Sequence, residues 1–165
     1  MDRFAPAAVA AGTLASESAE ATRAIGERLG AAAPPGTVLA LVGPLGAGKT
    51  QLAKGVAEGL GVRSVVNSPT FVLMNEHVGR LRLFHIDAYR LEDPQEALAA
   101  GLLDERGVEG VTVVEWADRL DGWLPPERID IEIGLDPRVA DRRQIDWQAH
   151  GAVHAELVRA ALEPS

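Results

Sequence analysis

Residues Gly43-Pro44-Leu45-Gly46-Ala47-Gly48-Lys49-Thr50 fill every fixed position of the pattern G-x-x-x-x-G-K-[ST]. The chemistry such a run can do is the holding of a polyphosphate. Glycines let the backbone wrap close to an anion with successive N–H groups turned inward. A helix that starts beneath the loop adds unpaired N–H groups and the positive end of its dipole. In that arrangement Lys49 reaches the β- and γ-phosphates and the Thr50 hydroxyl sits on Mg²⁺. The candidate nucleotide-binding residues are therefore Gly43, Leu45, Gly46, Ala47, Gly48, Lys49, Thr50 and Gln51, with ATP and Mg²⁺ as the implied cofactors. A glycine-rich turn that merely shares these letters is the alternative, and the flanking sequence argues against it.

A phosphate loop works only between a strand and a helix. Thr37 to Val42 is apolar and short enough to be a buried parallel strand. After the loop, Leu52, Val56 and Leu60 recur four apart, one face of a helix. A Mg-nucleotide site also needs a carboxylate on a neighbouring strand, at its carboxyl end. Two acids qualify. Glu115 follows the apolar run Val111 to Val114, which makes it the better metal ligand. Asp87 follows Leu83 to Ile86 and could bind metal through water or orient the attacking water. His85 reads as a satisfied structural histidine rather than a catalyst. Arg90 could face phosphate or pair with an acid. Thr70, in the proline-flanked loop Asn67-Ser68-Pro69-Thr70-Phe71, is placed like a switch-loop hydroxyl that senses a γ-phosphate. Trp116 and Trp123 read as packing residues, either of which could border a partner surface.

The remaining segments are those of one α/β domain spanning residues 1–165. Residues 1–13 form a loose, Ala-rich lead, with a short strand around Thr13-Leu14 at most. Ser18 caps a helix whose inward face carries Thr22, Ile25 and Leu29, and Gly30 can close it. A hairpin is expected from Phe71–Glu76 and Leu81–Asp87. A helix from Asp93 to Gly101 starts with a capping box. Val111–Trp116 is a strand, Asp118–Trp123 a short helix or turn, and Ile129, Ile131 and Ile133 alternate with acids in a strand with one wet face. A returning strand holds Ile145 and Trp147, and a last helix has Val153 and Leu157 inward.

The bulk numbers suit that picture. Of the 165 residues, 47% are hydrophobic and 24% charged, the balance of a globular domain. The chain has no cysteine, which excludes disulfide and thiol chemistry. Its net charge of −8 argues against nucleic-acid binding through a broad basic face. No apolar run approaches the length needed to span a bilayer, and the start of the chain does not read as a signal peptide, so a cytoplasmic protein with no membrane contact is expected.

Taken together, the loop, Ser68-Pro69-Thr70-Phe71, His85-Ile86-Asp87-Ala88-Tyr89-Arg90-Leu91 and Glu115-Trp116, in this order and spacing, closely resemble the TsaE (YjeE) family, over roughly residues 14 to 155. The phosphate loop alone would be generic; the three further motifs in register are specific. The resemblance implies a three-layer P-loop NTPase fold with a mixed, mainly parallel sheet, antiparallel strands, and helices on both faces. It implies a small ATPase, slow alone and activated with the TsaB–TsaD heterodimer. That assembly places a threonylcarbamoyl group on adenosine 37 of tRNAs reading codons that begin with A, and ATP hydrolysis serves its turnover. Transfer RNA would be met through the partners. Carried over, Thr50 and Glu115 bind Mg²⁺, Asp87 supports metal or water, Lys49 holds phosphates, and Thr70 lies in a switch-like loop. The helix start near Ser18 and the basic pair Arg142-Arg143, with Arg142 taken as the nucleotide-side residue, lie where the family approaches the nucleotide. Two positions depart from the pattern. Pro44 stands where an Asp is common, at a variable position, with one N–H lost. Ala88 stands where a bulkier apolar residue is usual, which would loosen local packing. A small-molecule kinase or a non-catalytic nucleotide sensor are the alternative functions.

Overall fold

The computed structural model describes residues 8–67, 74–91, 93, 95, 108–120 and 122–163. Ser68, Thr70 and Phe71, and most of the helix expected from Asp93 to Gly101, lie outside these.

Seven strands form one sheet in the order β1 (Ala8–Ser16), β7 (Arg143–His150), β6 (Arg128–Leu135), β2 (Thr37–Val42), β5 (Val111–Glu115), β4 (Leu83–Asp87), β3 (Met74–His77). The four central strands β6, β2, β5 and β4 run parallel; β1, β7 and β3 pair antiparallel with their neighbours. The sheet is thus parallel where both faces are covered and antiparallel at its flanks. Every residue of β5 is buried, as are Thr37 to Leu41 of β2. β6 alternates instead, with Ile129, Ile131 and Ile133 buried and Glu132 exposed, as its sequence requires.

Among the described residues, one face of the sheet carries three helices: α1 (Ala19–Ala32), α2 (Lys49–Gly59) and α3 (Ala152–Ala161). Ile25 and Leu29 of α1, Leu52 and Val56 of α2, and Leu157 and Val158 of α3 share one core cluster with Leu39, Leu41, Val111 and Val113. Burying each such side chain contributes about 1.5–3 kcal/mol. The odd-numbered residues of β2, β4 and β5 therefore face the helices, because side chains alternate along a strand. The opposite face is covered by a 3₁₀ turn at Ala117–Leu120 and a smaller cluster of Ala40, Ile86, Ala88, Leu91 and Val114. Ala88 is fully buried there.

Three local readings are corrected. The N-terminal lead is a strand from Ala8, tied to β7 from Ala8↔His150 to Ser16↔Arg143; its small residues hid the pattern, since Gly12 must make room for the Trp147 ring. Gly30 does not end α1, which runs to Ala32; it instead lets Val56 of α2 approach. In α3, Val153 is 50% exposed and His154, 3% exposed, turns inward in its place. Arg80 holds the carboxyl ends of both long helices. Its guanidinium donates to the carbonyls of Gly30 (2.8 Å) and Ala33 (3.0 Å), and its own N–H donates to Leu60 O at 2.6 Å.

His154 gives the fold a pH dependence. The Val38 N–H, at the head of the central strand, donates to His154 Nε2 at 3.1 Å, so the ring is neutral with its proton on a buried Nδ1. Burial lowers the His154 pKa below 6.5, helped by His150 and opposed by Glu127. Burial and then His85 lower His77 in the same way. A histidine with a depressed folded pKa contributes stability that is complete above the unfolded value and is lost as pH falls through about 6.5. The thermal midpoint is therefore expected to fall between pH 7.5 and 5.5. His154→Gln, which keeps an acceptor for Val38, should flatten that fall; an equally steep profile in this variant would exclude His154 as its source.

Candidate nucleotide site

The site stands at the carboxyl ends of the parallel strands, where α/β ligand sites form. β2 ends at Val42 and the phosphate loop begins at Gly43. Gly43, Gly46 and Gly48 all have positive φ, at 154°, 79° and 115°. At Gly43 the reason is also steric, since a Cβ would lie 2.5 Å from the Ile133 carbonyl. Gly48 at φ 115° is the residue before α2, and no side chain caps that helix. A helix start with no side-chain cap, beneath a glycine loop, suits an anion seated in that loop.

Beneath the loop the carboxylates meet. Asp87 and Glu115 are paired in register on adjacent strands, and Glu115 pairs with Leu41 on its other side. Both acids face the helical side, toward the first turn of α2. Glu115 is 2% exposed and bridges two groups. Its Oε1 accepts from the Thr50 hydroxyl at 2.9 Å, and its Oε2 accepts from His85 Nε2 at 2.5 Å. A carboxylate this buried must be paired or hydrogen-bonded to persist. Asp87 lies nearer solvent. Its Oδ1 accepts the Tyr89 N–H at 2.9 Å, and burial, ahead of the neighbouring Glu115 charge, raises its pKa above the usual carboxylate value.

Lys49 is 5% exposed and its ammonium is fully engaged. It donates to the carbonyls of Gly43 (2.6 Å) and Pro44 (2.9 Å) and lies 3.9 Å from the centre of the Trp116 ring. Burial lowers its pKa, and the charges of Glu115, Asp118 and Asp87 pull it back up. Trp116 directly follows Glu115 at φ 57°, the one non-glycine with positive φ among the described residues. Its ring stacks obliquely on Tyr89 at 4.7 Å. Strain of this kind is held where surrounding structure over-determines the backbone.

Beside the loop is a hollow of about 110 Å³ lined by Gly46, Ala47, Gly48, Gln51, Ser18 and Arg143, among others. Ser18 caps α1, accepting the Ala21 N–H at 3.0 Å. The structure thus brings Ser18 and Gln51 to the hollow beside the loop. Arg142 does not line this hollow: it pairs with Glu17 at 3.0 Å and lies 3.7 Å from Asp136. Arg143 is the residue that reaches the loop. Leu45 is 76% exposed at the loop tip. Thr70 lies outside the described residues. His85, read as a satisfied structural histidine, has Glu115 as its hydrogen-bond partner; its spacing two residues before Asp87 puts both on one face of β4.

The oxygen donors fit a magnesium ion. Neighbouring ligands of an octahedral ion at about 2.0–2.1 Å lie about 2.9 Å apart, and Thr50 Oγ1 and Glu115 Oε1 are separated by 2.9 Å. Among the described residues no group of three or more His, Asp or Glu side chains forms a protein-only metal cage. Magnesium is usually held by one or two side chains completed by phosphates and water, so this set suits a metal that arrives with a nucleotide. No described helix is long and apolar enough to cross a membrane.

Comparison with known proteins agrees with this geometry. The family profile of TsaE, threonylcarbamoyl adenosine biosynthesis protein, matches residues 16–145. The tRNA threonylcarbamoyladenosine biosynthesis protein TsaE of Bacillus subtilis is 47% identical over 134 residues, 80% of this chain and 82% of that protein. Its namesake in Mycobacterium leprae is 40% identical over 146 residues, 83% of this chain and 90% of that protein. The crystal structure of Bacillus subtilis YdiB superposes with a TM-score of 0.77 at 36% identity, covering 91% of this chain and 93% of that one. With phosphate loop, paired strand-end acids and a match across most of its length, the chain belongs to the TsaE family.

Proposed function

We propose that this protein is a Mg²⁺-dependent ATPase subunit of the machinery that forms threonylcarbamoyladenosine at adenosine 37 of tRNAs reading codons that begin with A. It acts with TsaB and TsaD, and ATP hydrolysis serves turnover of that complex. The observation that supports this reading most is the chain of contacts from Thr50 through Glu115 to His85 directly under the phosphate loop. A loop that only capped a strand would have no need of a buried carboxylate aimed at its threonine.

The protein's own groups have separable tasks. The amides of Gly46 to Thr50 and the Lys49 ammonium hold the phosphates. Thr50 and Glu115 hold the metal, which when bound neutralises charge building on the phosphate oxygens. His85 keeps Glu115 turned toward Thr50. Asp87, beside Glu115 and nearer solvent, is placed to orient water. Among the described residues no arginine stands over the loop mouth as a finger; Arg143 is occupied with backbone carbonyls. Slow turnover by the isolated subunit follows, with the missing cation supplied by a partner.

The test is phosphate release from MgATP with and without the TsaB–TsaD heterodimer. Slow release alone and a rise of at least tenfold in the assembly are expected, given what a supplied arginine contributes in related phosphoryl transfers. Equal rates in both conditions would overturn the assignment to that complex.

A further inference from the structure

Two cations divide the carbonyl oxygens of the phosphate loop. Lys49 holds those of Gly43 and Pro44, at 2.6 and 2.9 Å. Arg143, the first residue of β7, holds those of Gly46 and Ala47. Its Nε donates to Ala47 O at 3.0 Å and one terminal nitrogen to Gly46 O at 3.4 Å. The second terminal nitrogen donates to Ala140 O at 2.7 Å and Arg142 O at 3.0 Å. The guanidinium fork therefore spans two loops, the tip of the phosphate loop and the β6–β7 turn, and every contact it makes there is to backbone.

The two cations have different futures. To meet phosphate oxygens, Lys49 must leave Gly43 and Pro44, whose carbonyls then lose it. Arg143 has no such task. In a trans peptide C=O and N–H point in opposite directions. Fixing the Ala47 carbonyl outward thus fixes the Gly48 N–H toward the other side, at the foot of α2. We propose that Arg143 is a positioning residue: it anchors the outer carbonyls of Gly46 and Ala47 to the β6–β7 turn and keeps the loop in its phosphate-receiving shape while Lys49 transfers to the nucleotide. This rests on the loop being a nucleotide site. A lysine could supply the charge here but not the planar fork that meets four carbonyls together.

The experiment compares parent, Arg143→Ala and Arg143→Lys. Amide hydrogen exchange over Gly46–Gly48 is measured in the nucleotide-free protein, and MgATP affinity by titration. Exchange about tenfold faster in this segment alone, and MgATP binding about tenfold weaker, are expected in both variants. The lysine variant keeps charge and stem, so it reports even if the alanine variant does not fold. Unchanged exchange overturns the proposal, as does parental exchange and affinity in Arg143→Lys, which would reduce Arg143 to a charge. If exchange accelerates but the parent protein binds no MgATP, the nucleotide reading fails and the hold of Arg143 on the loop stands.

Discussion

Lys49→Ala is expected to abolish MgATP binding, while Glu115→Gln binds within a few-fold of the parent and turns over at least a hundredfold more slowly. The two effects separate because the two residues meet different charges. Lys49 is the one ammonium seated in the loop, and three carboxylates, Glu115, Asp118 and Asp87, act on it electrostatically. Remove it and a triphosphate must enter a pocket of net negative charge, with desolvation increasing each repulsion. Glu115 differs, because its geometry can be kept while its charge is removed. A glutamine amide can still offer an oxygen to Thr50, now 2.9 Å from Glu115 Oε1. The loop keeps its shape and the phosphates keep their amides. What goes is the negative ligand that holds the metal against phosphate oxygens as charge develops on them, a contribution worth two orders of magnitude or more in comparable sites. Asp87→Asn should lower the rate less, since Asp87 is more exposed and already bonded to the Tyr89 amide. Titration with a non-hydrolysable ATP analogue and phosphate release in the TsaB–TsaD assembly measure both quantities. Undiminished turnover in Glu115→Gln, or binding near the parental value in Lys49→Ala, would remove the role given to each.

Which parts of this site could be read from the sequence follows from how local their causes are. The phosphate loop is a contiguous run whose glycines, lysine and threonine have no other arrangement in which all are used, and β2 and the start of α2 fall where the flanking apolar patterns put them. Glu115 and Asp87 were legible because each closes an apolar strand, and the register that pairs them follows from both strands lying parallel in one sheet. The antiparallel flank was harder. Alanine and glycine in β1 carry no alternation of polarity, and only the match with Trp147 across the ladder explains Gly12. Arg142 and Arg143 are adjacent and chemically identical on paper. Arg142 lies in the turn and Arg143 opens β7, so they meet different neighbours, and only the folded turn decides which one reaches the loop. The partner of His85 was hidden because it is thirty positions away in the chain. Gly30 was read as a helix end, a local role, when it lets α2 come close to α1.

That closeness makes Gly55→Ala an unusual substitution: in an open helix it would add about 1 kcal/mol of stability through propensity, and here it is expected to cost about 3 kcal/mol net. A Cβ at Gly55 would lie 1.9 Å from the Arg23 carbonyl of α1. The same is true in the other direction, where a Cβ on Gly26 or Gly30 would lie 2.2 Å from Leu52 O or 2.1 Å from Val56 O. Each obstacle is backbone, held by its own helical hydrogen bonds, so no rotamer change relieves it. The helices must separate, opening the contact that buries Ile25, Leu29, Leu52 and Val56 and drawing apart the exposed pair of Arg23 Nε and Glu58 Oε1, now at 2.6 Å. Three kcal/mol in a domain of this size corresponds to a fall in thermal midpoint of about 6–12 °C. The loss should reach the nucleotide as well, because α2 begins at Lys49 and Thr50 and cannot shift without carrying both away from Glu115. Weaker MgATP binding should therefore accompany the lower midpoint in the folded variant. A midpoint equal to or above the parent would mean that α1 and α2 can yield, and the close approach would then not be what fixes the distance between Thr50 and Glu115.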